Sequence, residues 1–258
     1  MKIEEVAEIL GPNFIPIEIM VQNLSADFSK EELGLFQEVP LTKEALFEKD
    51  EYSDALVKDI FGLLPMPERM YRDSNKPFNV AGLINLFREM KMSELEKRIF
   101  PFGIGFLSNK EVVSWEFWDR WFAESINLRD HPLQRTQKAS WICIRKSVIP
   151  ESVGKNLPEA LACLKADHDF PTLLQAITFM IAYYFRVGGD KKFKAGEDMA
   201  WDSRILFSKM AWTKDNFDKD SHLIVGLNTS KGIYIDKAHL LKPWAITGIL
   251  PIQKLKNP

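Results

Sequence analysis

Between Leu173 and Val187 only Gln175, Thr178 and Arg186 interrupt an apolar run that begins at Phe170, FPTLLQAITFMIAYYFR. The run is longer than an ordinary strand, and its Leu, Ala, Met and Gln are good helix formers. Asp169 and Pro171 stand at its start, where a carboxylate and a proline belong, and Gly188-Gly189 follows its last turn. The pattern predicts a helix over 170–186, apolar all round and therefore buried in a large core. It is shorter than the roughly 20 apolar residues that cross a bilayer, so no membrane role is expected.

Around this run the rest of the chain reads as shorter elements. Residues 2–10 predict a helix stopped by Gly11-Pro12, and the Ile-rich Phe14–Val21 predicts an edge strand because of Pro16. Helices are expected over Ser29–Phe36 and over Thr42–Leu64, the second with Thr42 as cap and an apolar face of Leu46, Phe47, Leu56, Ile60 and Phe61. The proline-rich stretch from Leu64 to Pro77 is the best candidate boundary. Asn79 opens a further helix through about Arg98. Ile99–Leu107 reads as a buried strand, Ser114–Ser125 as a short helix and Ser140–Val148 as a strand by its alternation. Asn156–Ala166 leads into the central helix. Strands are then expected over Arg204–Trp212, His222–Leu227, Gly232–Asp236 and Trp244–Leu250, with a hairpin turn at Asn228–Gly232.

This order predicts an α+β fold: a helix-rich N-terminal half packed with a C-terminal, mainly antiparallel sheet around a central buried helix at 170–186. Two regions are marked, an acidic helical region over 1–76 and an α+β core over 77–258, which at this length also fit one large domain.

Charge sharpens the division. Residues 1–62 carry 14 Asp and Glu against 5 Lys and Arg, out of chain totals of 36 and 34. The acidic first quarter therefore faces a mildly basic remainder, which predicts solvated acidic helices packed on a neutral body. Only two cysteines are present, Cys143 and Cys163, without ligand or disulfide spacing. With no apolar leader at the N-terminus, a reducing, cytoplasmic setting is expected.

Most catalytic signatures fail on their spacing. Gly103-Ile104-Gly105 lacks the third glycine of a dinucleotide loop, since position 108 is Ser108, and Gly154-Lys155 lacks the flanking residues of a phosphate loop. Asp218-Lys219-Asp220 starts like a calcium loop but has Leu223 and Thr229 where Gly and Glu are needed. Asp167-His168-Asp169 offers three ligand types, yet adjacent residues rarely converge on one ion. No nucleophile elbow is present, and no cofactor is expected. The one carboxylate grouping suited to a hydrolase or a metal-dependent enzyme is Glu197, Asp198 and Asp202, with His168 or His222 as partner.

The most distinctive segment is SWEFWDRWFAES. On a helix, Trp115, Trp118 and Phe122 share one face, and Phe117 and Trp121 an adjoining one. Basic residues follow, including Arg145 and Lys146. The leading expectation is a binding or regulatory protein that docks a protein partner through Trp115, Trp118, Trp121, Arg145 and Lys146. Nucleic acid is a weaker alternative partner, given a sequence pI of about 6.2.

Overall fold

In the computed structural model, which describes residues 1–70, 73–89, 105–108, 111–112, 131–187, 209–228 and 232–255, the apolar run folds as a helix from Leu173 to Arg186. Its start falls three residues later than expected: Asp169 belongs to a short strand, and a capping box at Thr172 begins the helix. Thr172 Oγ1 accepts from the Gln175 N–H at 3.2 Å, and Gln175 Oε1 accepts from the Thr172 N–H at 2.9 Å. Two donors that a bare helix end leaves unpaired are thereby satisfied. Every residue from Leu173 to Tyr184 except Gln175 is buried. At the far end the Arg186 guanidinium donates to the carbonyls of Phe14 and Gly11, at 2.9 and 3.1 Å.

The described helices are α1 (Ile3–Leu10), α2 (Ile17–Leu24), α3 (Lys30–Leu35), α4 (Lys43–Phe47), α5 (Val57–Ile60), α6 (Val80–Glu89), α7 (Leu157–Leu161) and the central α8 (Leu173–Arg186). Ser29 caps α3 through a second capping box with Glu32, and Asn79 caps α6 by accepting from the Gly82 N–H at 2.7 Å. None of these helices is long and apolar enough to cross a membrane.

Two expectations are corrected. Phe14–Val21 is not an edge strand: Pro16, at φ −76°, is the N-cap of α2, and Met20 and Leu24 on α2 are buried. Proline pre-sets the backbone for a helix start, and eight residues of Ile-rich sequence do not distinguish the two periodicities. Nor is Thr42–Leu64 one helix. It breaks after α4, because Asp50 Oδ2 accepts from the Tyr52 N–H at 3.2 Å and the Ser53 hydroxyl at 2.8 Å. Such local side-chain bonds compete with the helical ladder. From Phe61 the chain is a strand, all six residues buried.

The strands are β1 (Ala26–Asp27), β2 (Phe61–Met66), β3 (Arg69–Met70), β4 (Asp73–Pro77), β5 (Gly105–Ser108), β6 (Glu111–Val112), β7 (Ser140–Arg145), β8 (His168–Asp169), β9 (Met210–Asp218), β10 (Ser221–Asn228), β11 (Gly232–His239), β12 (Thr247–Gly248) and β13 (Ile252–Gln253). They form sheets ordered β1-β3-β4, β2-β7-β13-β8 and β12-β9-β10-β11-β5-β6. Pairing is antiparallel except for β11 with β5 and β12 with β9. β10 and β11 make the hairpin expected at 228–232, with Asn228 opposite Gly232. Beyond residue 243, only Thr247–Gly248 of the strand expected over Trp244–Leu250 pairs; the Thr247 N–H instead closes a turn onto the Trp244 carbonyl.

The molecule is therefore an α+β protein, with α8 packed against α2, β2, β9 and β10. One cluster of buried apolar residues runs from Ile15 to Ile252 and includes nearly all of α8. Strand β7 divides its side chains between two clusters, as alternation requires: Ile142 and Ile144 join this one, while Trp141 and Cys143 join a second, with Phe36 and Leu46. The helix expected over 114–125 and the strand residues 204–208 lie outside the described residues.

Candidate functional site

Among the described residues, the strongest grouping of chemistry-bearing side chains lies where the loop after α4 meets β8. That loop is closed by the Asp50 N–H donating to the Ala55 carbonyl at 2.8 Å and the Val57 N–H to Glu48 at 3.0 Å. Its geometry is held from within by Asp50, whose side chain is 1% exposed. Besides Tyr52 and Ser53, Asp50 Oδ2 takes the Arg145 guanidinium at 3.3 Å, a bond to the end of β7. Arg145 spends its other terminal nitrogen on the Ser147 carbonyl and hydroxyl and the Val148 carbonyl, at 2.6–3.1 Å. Asp50 Oδ1 and Arg145 Nε are buried without a partner. With Asp50 pinned inward, Glu51 at the loop's tip is exposed.

His168 comes from the other side. Strand β8 is paired with β13, His168 opposite Gln253. The imidazole is 7% exposed, with its ring edge-on to Tyr52 at 5.4 Å and tilted over Phe61 at 6.0 Å. These rings fix its plane. Nδ1 meets the Asp167 carboxylate at 2.9 Å. One donor atom each from Glu51, Asp167 and His168 lies within 4.8 Å of the others. Asp169 turns away: it pairs with Lys214, and its other oxygen accepts from the Phe170 N–H. Strand alternation accounts for that division.

Tyr52 links the two sides. Its phenolic oxygen accepts from the Lys165 N–H at 3.0 Å. Burial pushes its ionisation above the usual phenol value, with the charges of Glu51, Asp167 and Asp50 adding to the shift.

One imidazole and two carboxylates suit a divalent transition metal: the nitrogen favours zinc, iron or manganese over the harder calcium and magnesium. Two of the three donors belong to exposed residues, so a small ligand can reach the site.

The other singled-out residues stand apart from this group or behind it. Arg145 is buried at 4% exposure and supports the loop from the interior rather than facing solvent. Its neighbour Lys146 donates to Asn13 Oδ1 at 2.9 Å and stands over the Tyr183 ring. Trp115, Trp118 and Trp121 lie outside the described residues, as do Glu197, Asp198 and Asp202. His222 is held by the Thr213 carbonyl at 2.8 Å. Asp218 and Asp220 form a tight turn in which Asp218 Oδ1 accepts from the Asp220 N–H at 2.8 Å. Cys143 is buried, which pushes its thiol up to about 12 and leaves it inert. A separate open cleft of about 360 Å³ is lined by Glu68, Arg69, Thr136 and Lys138, among others, and contains none of the cluster.

Glu51 is the member that sequence reasoning passed over. Nothing near it in the chain marks it as a ligand, because its partners come from residues 167 and 168. The turn-forming run Asp50-Glu51-Tyr52-Ser53-Asp54 is the one local signal, since it reads as a break within the expected helix.

The chain matches no protein-family model, no curated protein and no solved structure.

Proposed function

We propose that the protein binds a divalent transition-metal ion through Glu51, Asp167 and His168. One observation carries this reading: three donor atoms from two distant parts of the chain lie within 4.8 Å of one another. Donors bound at about 2.1 Å to one ion stand roughly 3–4 Å apart, so small side-chain adjustments suffice to bring all three onto it. The inner face of the site is rigid, because Tyr52 and Phe61 clamp the His168 ring and Asp50 shapes the loop. Three protein ligands leave coordination positions for water, the arrangement of catalytic rather than structural sites. An ion so held acidifies its water, which supports a metal-dependent hydrolytic role.

The test is titration with Co²⁺, read by visible absorption, together with melts in Zn²⁺, Mn²⁺ and Co²⁺. Binding stabilises the native state by about 2.7 kcal/mol at a hundredfold excess over Kd. The expected result is a raised Tm with at least one ion, lost in Glu51→Gln and His168→Ala. No shift with any of the three ions overturns the reading.

A further inference from the structure

We infer that Arg145 is a positioning residue of the cation site, holding Glu51 and His168 in register from behind; the inference rests on the cation reading above. Its side chain is 5% exposed and bonds to none of the three donors. It acts through intermediates. Toward Glu51, Nη2 donates to Asp50 Oδ2 at 3.3 Å, and the same oxygen accepts from the Tyr52 N–H at 3.2 Å and the Ser53 hydroxyl at 2.8 Å. Glu51 lies between Asp50 and Tyr52 in the chain, so both of its neighbours are tied to one oxygen.

Toward His168 the path runs through aromatic rings. The guanidinium stands 5.9 Å from the centre of the Tyr52 ring, which is edge-on to the His168 ring at 5.4 Å. Phe61 is the ladder partner of Arg145 between β2 and β7, and its ring tilts over the imidazole at 6.0 Å. The Arg145 N–H also donates to the Pro251 carbonyl at 2.9 Å, one residue before β13, the strand that pairs with β8. The two halves of the site, far apart in the sequence, thus meet on a single residue.

The arrangement needs a fork rather than a point charge. Nη1 is spent on the Ser147 carbonyl and hydroxyl and the Val148 carbonyl at 2.6–3.1 Å, which anchors the guanidinium just after β7 and leaves Nη2 for Asp50. A lysine ammonium carries the same charge but offers its donors from one atom, so it cannot keep that anchor and Asp50 at this spacing together. Arg145→Lys therefore preserves the buried charge and releases the geometry. Groups that orient metal ligands from behind change metal affinity by about 10–100-fold when they are replaced.

The experiment is a Co²⁺ titration of the full chain, read by visible absorption, beside a metal-free melt. Arg145→Lys is expected to weaken Co²⁺ binding roughly tenfold. Ser53→Ala, which removes one bond to Asp50 from an exposed position, is expected to weaken it by less. Thr172→Ala, at the cap of the central helix, is expected to lower Tm and leave Co²⁺ binding unchanged. Wild-type affinity in Arg145→Lys overturns the inference. So does an equal loss of affinity in Thr172→Ala, because binding then only follows stability. If Arg145→Lys does not fold, Ser53→Ala decides, and unchanged affinity there overturns the inference. Either result in a wild type that binds Co²⁺ sinks this inference alone. Failure of the wild type to bind Co²⁺, Zn²⁺ or Mn²⁺ sinks the cation reading and this inference with it.

Discussion

Two buried carboxylates organise two corners of this molecule, and they are finished to different degrees. Asp215 on β9 uses both oxygens: one accepts from Arg135 at 2.9 Å, the other from the Leu173 N–H at 2.5 Å, at the first turn of α8. Asp50 loads three donors onto Oδ2 and leaves Oδ1 buried and bare. The Asp215 corner is a joint between a strand and the central helix, and both oxygens of its carboxylate are used. The corner at Asp50 holds a loop whose next residue, Glu51, is exposed at its tip. Completeness of hydrogen bonding thus separates the two corners, and only the unfinished one adjoins the proposed cation site.

The largest expected effect tests the second corner. Arg145→Met removes one partner of an ion pair whose side chains are 5% and 1% exposed, and so strands the Asp50 charge. Such breaks cost about 3–5 kcal/mol, and urea unfolding at pH 7 should read a loss of that size. Restoring neutrality with Asp50→Asn in the same chain should recover part of it. Asp215→Asn is the matched break in the first corner. It weakens a charge-assisted bond at a helix start and a pair with Arg135, whose side chain is 48% exposed, so about 2 kcal/mol is expected. If the Asp215 variant proves the costlier of the two, the ranking of the corners is reversed.

Thr172→Ala sharpens the joint from its other side. It deletes the cap of α8 and should lower stability by about 1 kcal/mol in the same measurement. The smallest effect is the most diagnostic. Glu51→Gln should leave metal-free stability within about 0.5 kcal/mol, as exposed substitutions do, while abolishing the rise in Tm with Co²⁺. A marked loss without metal would make Glu51 part of the frame rather than the site.

The central helix was legible in the sequence, although its start was placed at Asp169 and Pro171 rather than at the Thr172–Gln175 capping box; the site was not, for a physical reason. A helix start is written locally: Thr172 and Gln175 lie three residues apart, and so do Ser29 and Glu32. Alternation along Ser140–Arg145 is equally local, and it sorted Trp141 and Cys143 from Ile142 and Ile144 correctly. The loop at Asp50 depends instead on Arg145, 95 residues away. An arginine in a basic stretch looks like surface until its buried partner is known, so the sequence alone makes Arg145 a docking residue. Asp167 and His168 were visible as ligand types, but the reason to unite them, Glu51, is a contact that no periodicity encodes.

The order of strands in β2-β7-β13-β8 has a consequence for how the chain is made. β8 joins the sheet through β13, so His168 gains its strand partner only after Ile252 and Gln253 have left the ribosome. Helix α8 and the β9–β10–β11 meander precede β13 in the sequence and contact one another, so they can assemble earlier. Vectorial synthesis therefore sets the imidazole last, after the scaffold beside it has begun to close. A nascent chain halted before residue 252 holds Glu51, Asp167 and His168 yet lacks the strand that pairs with β8.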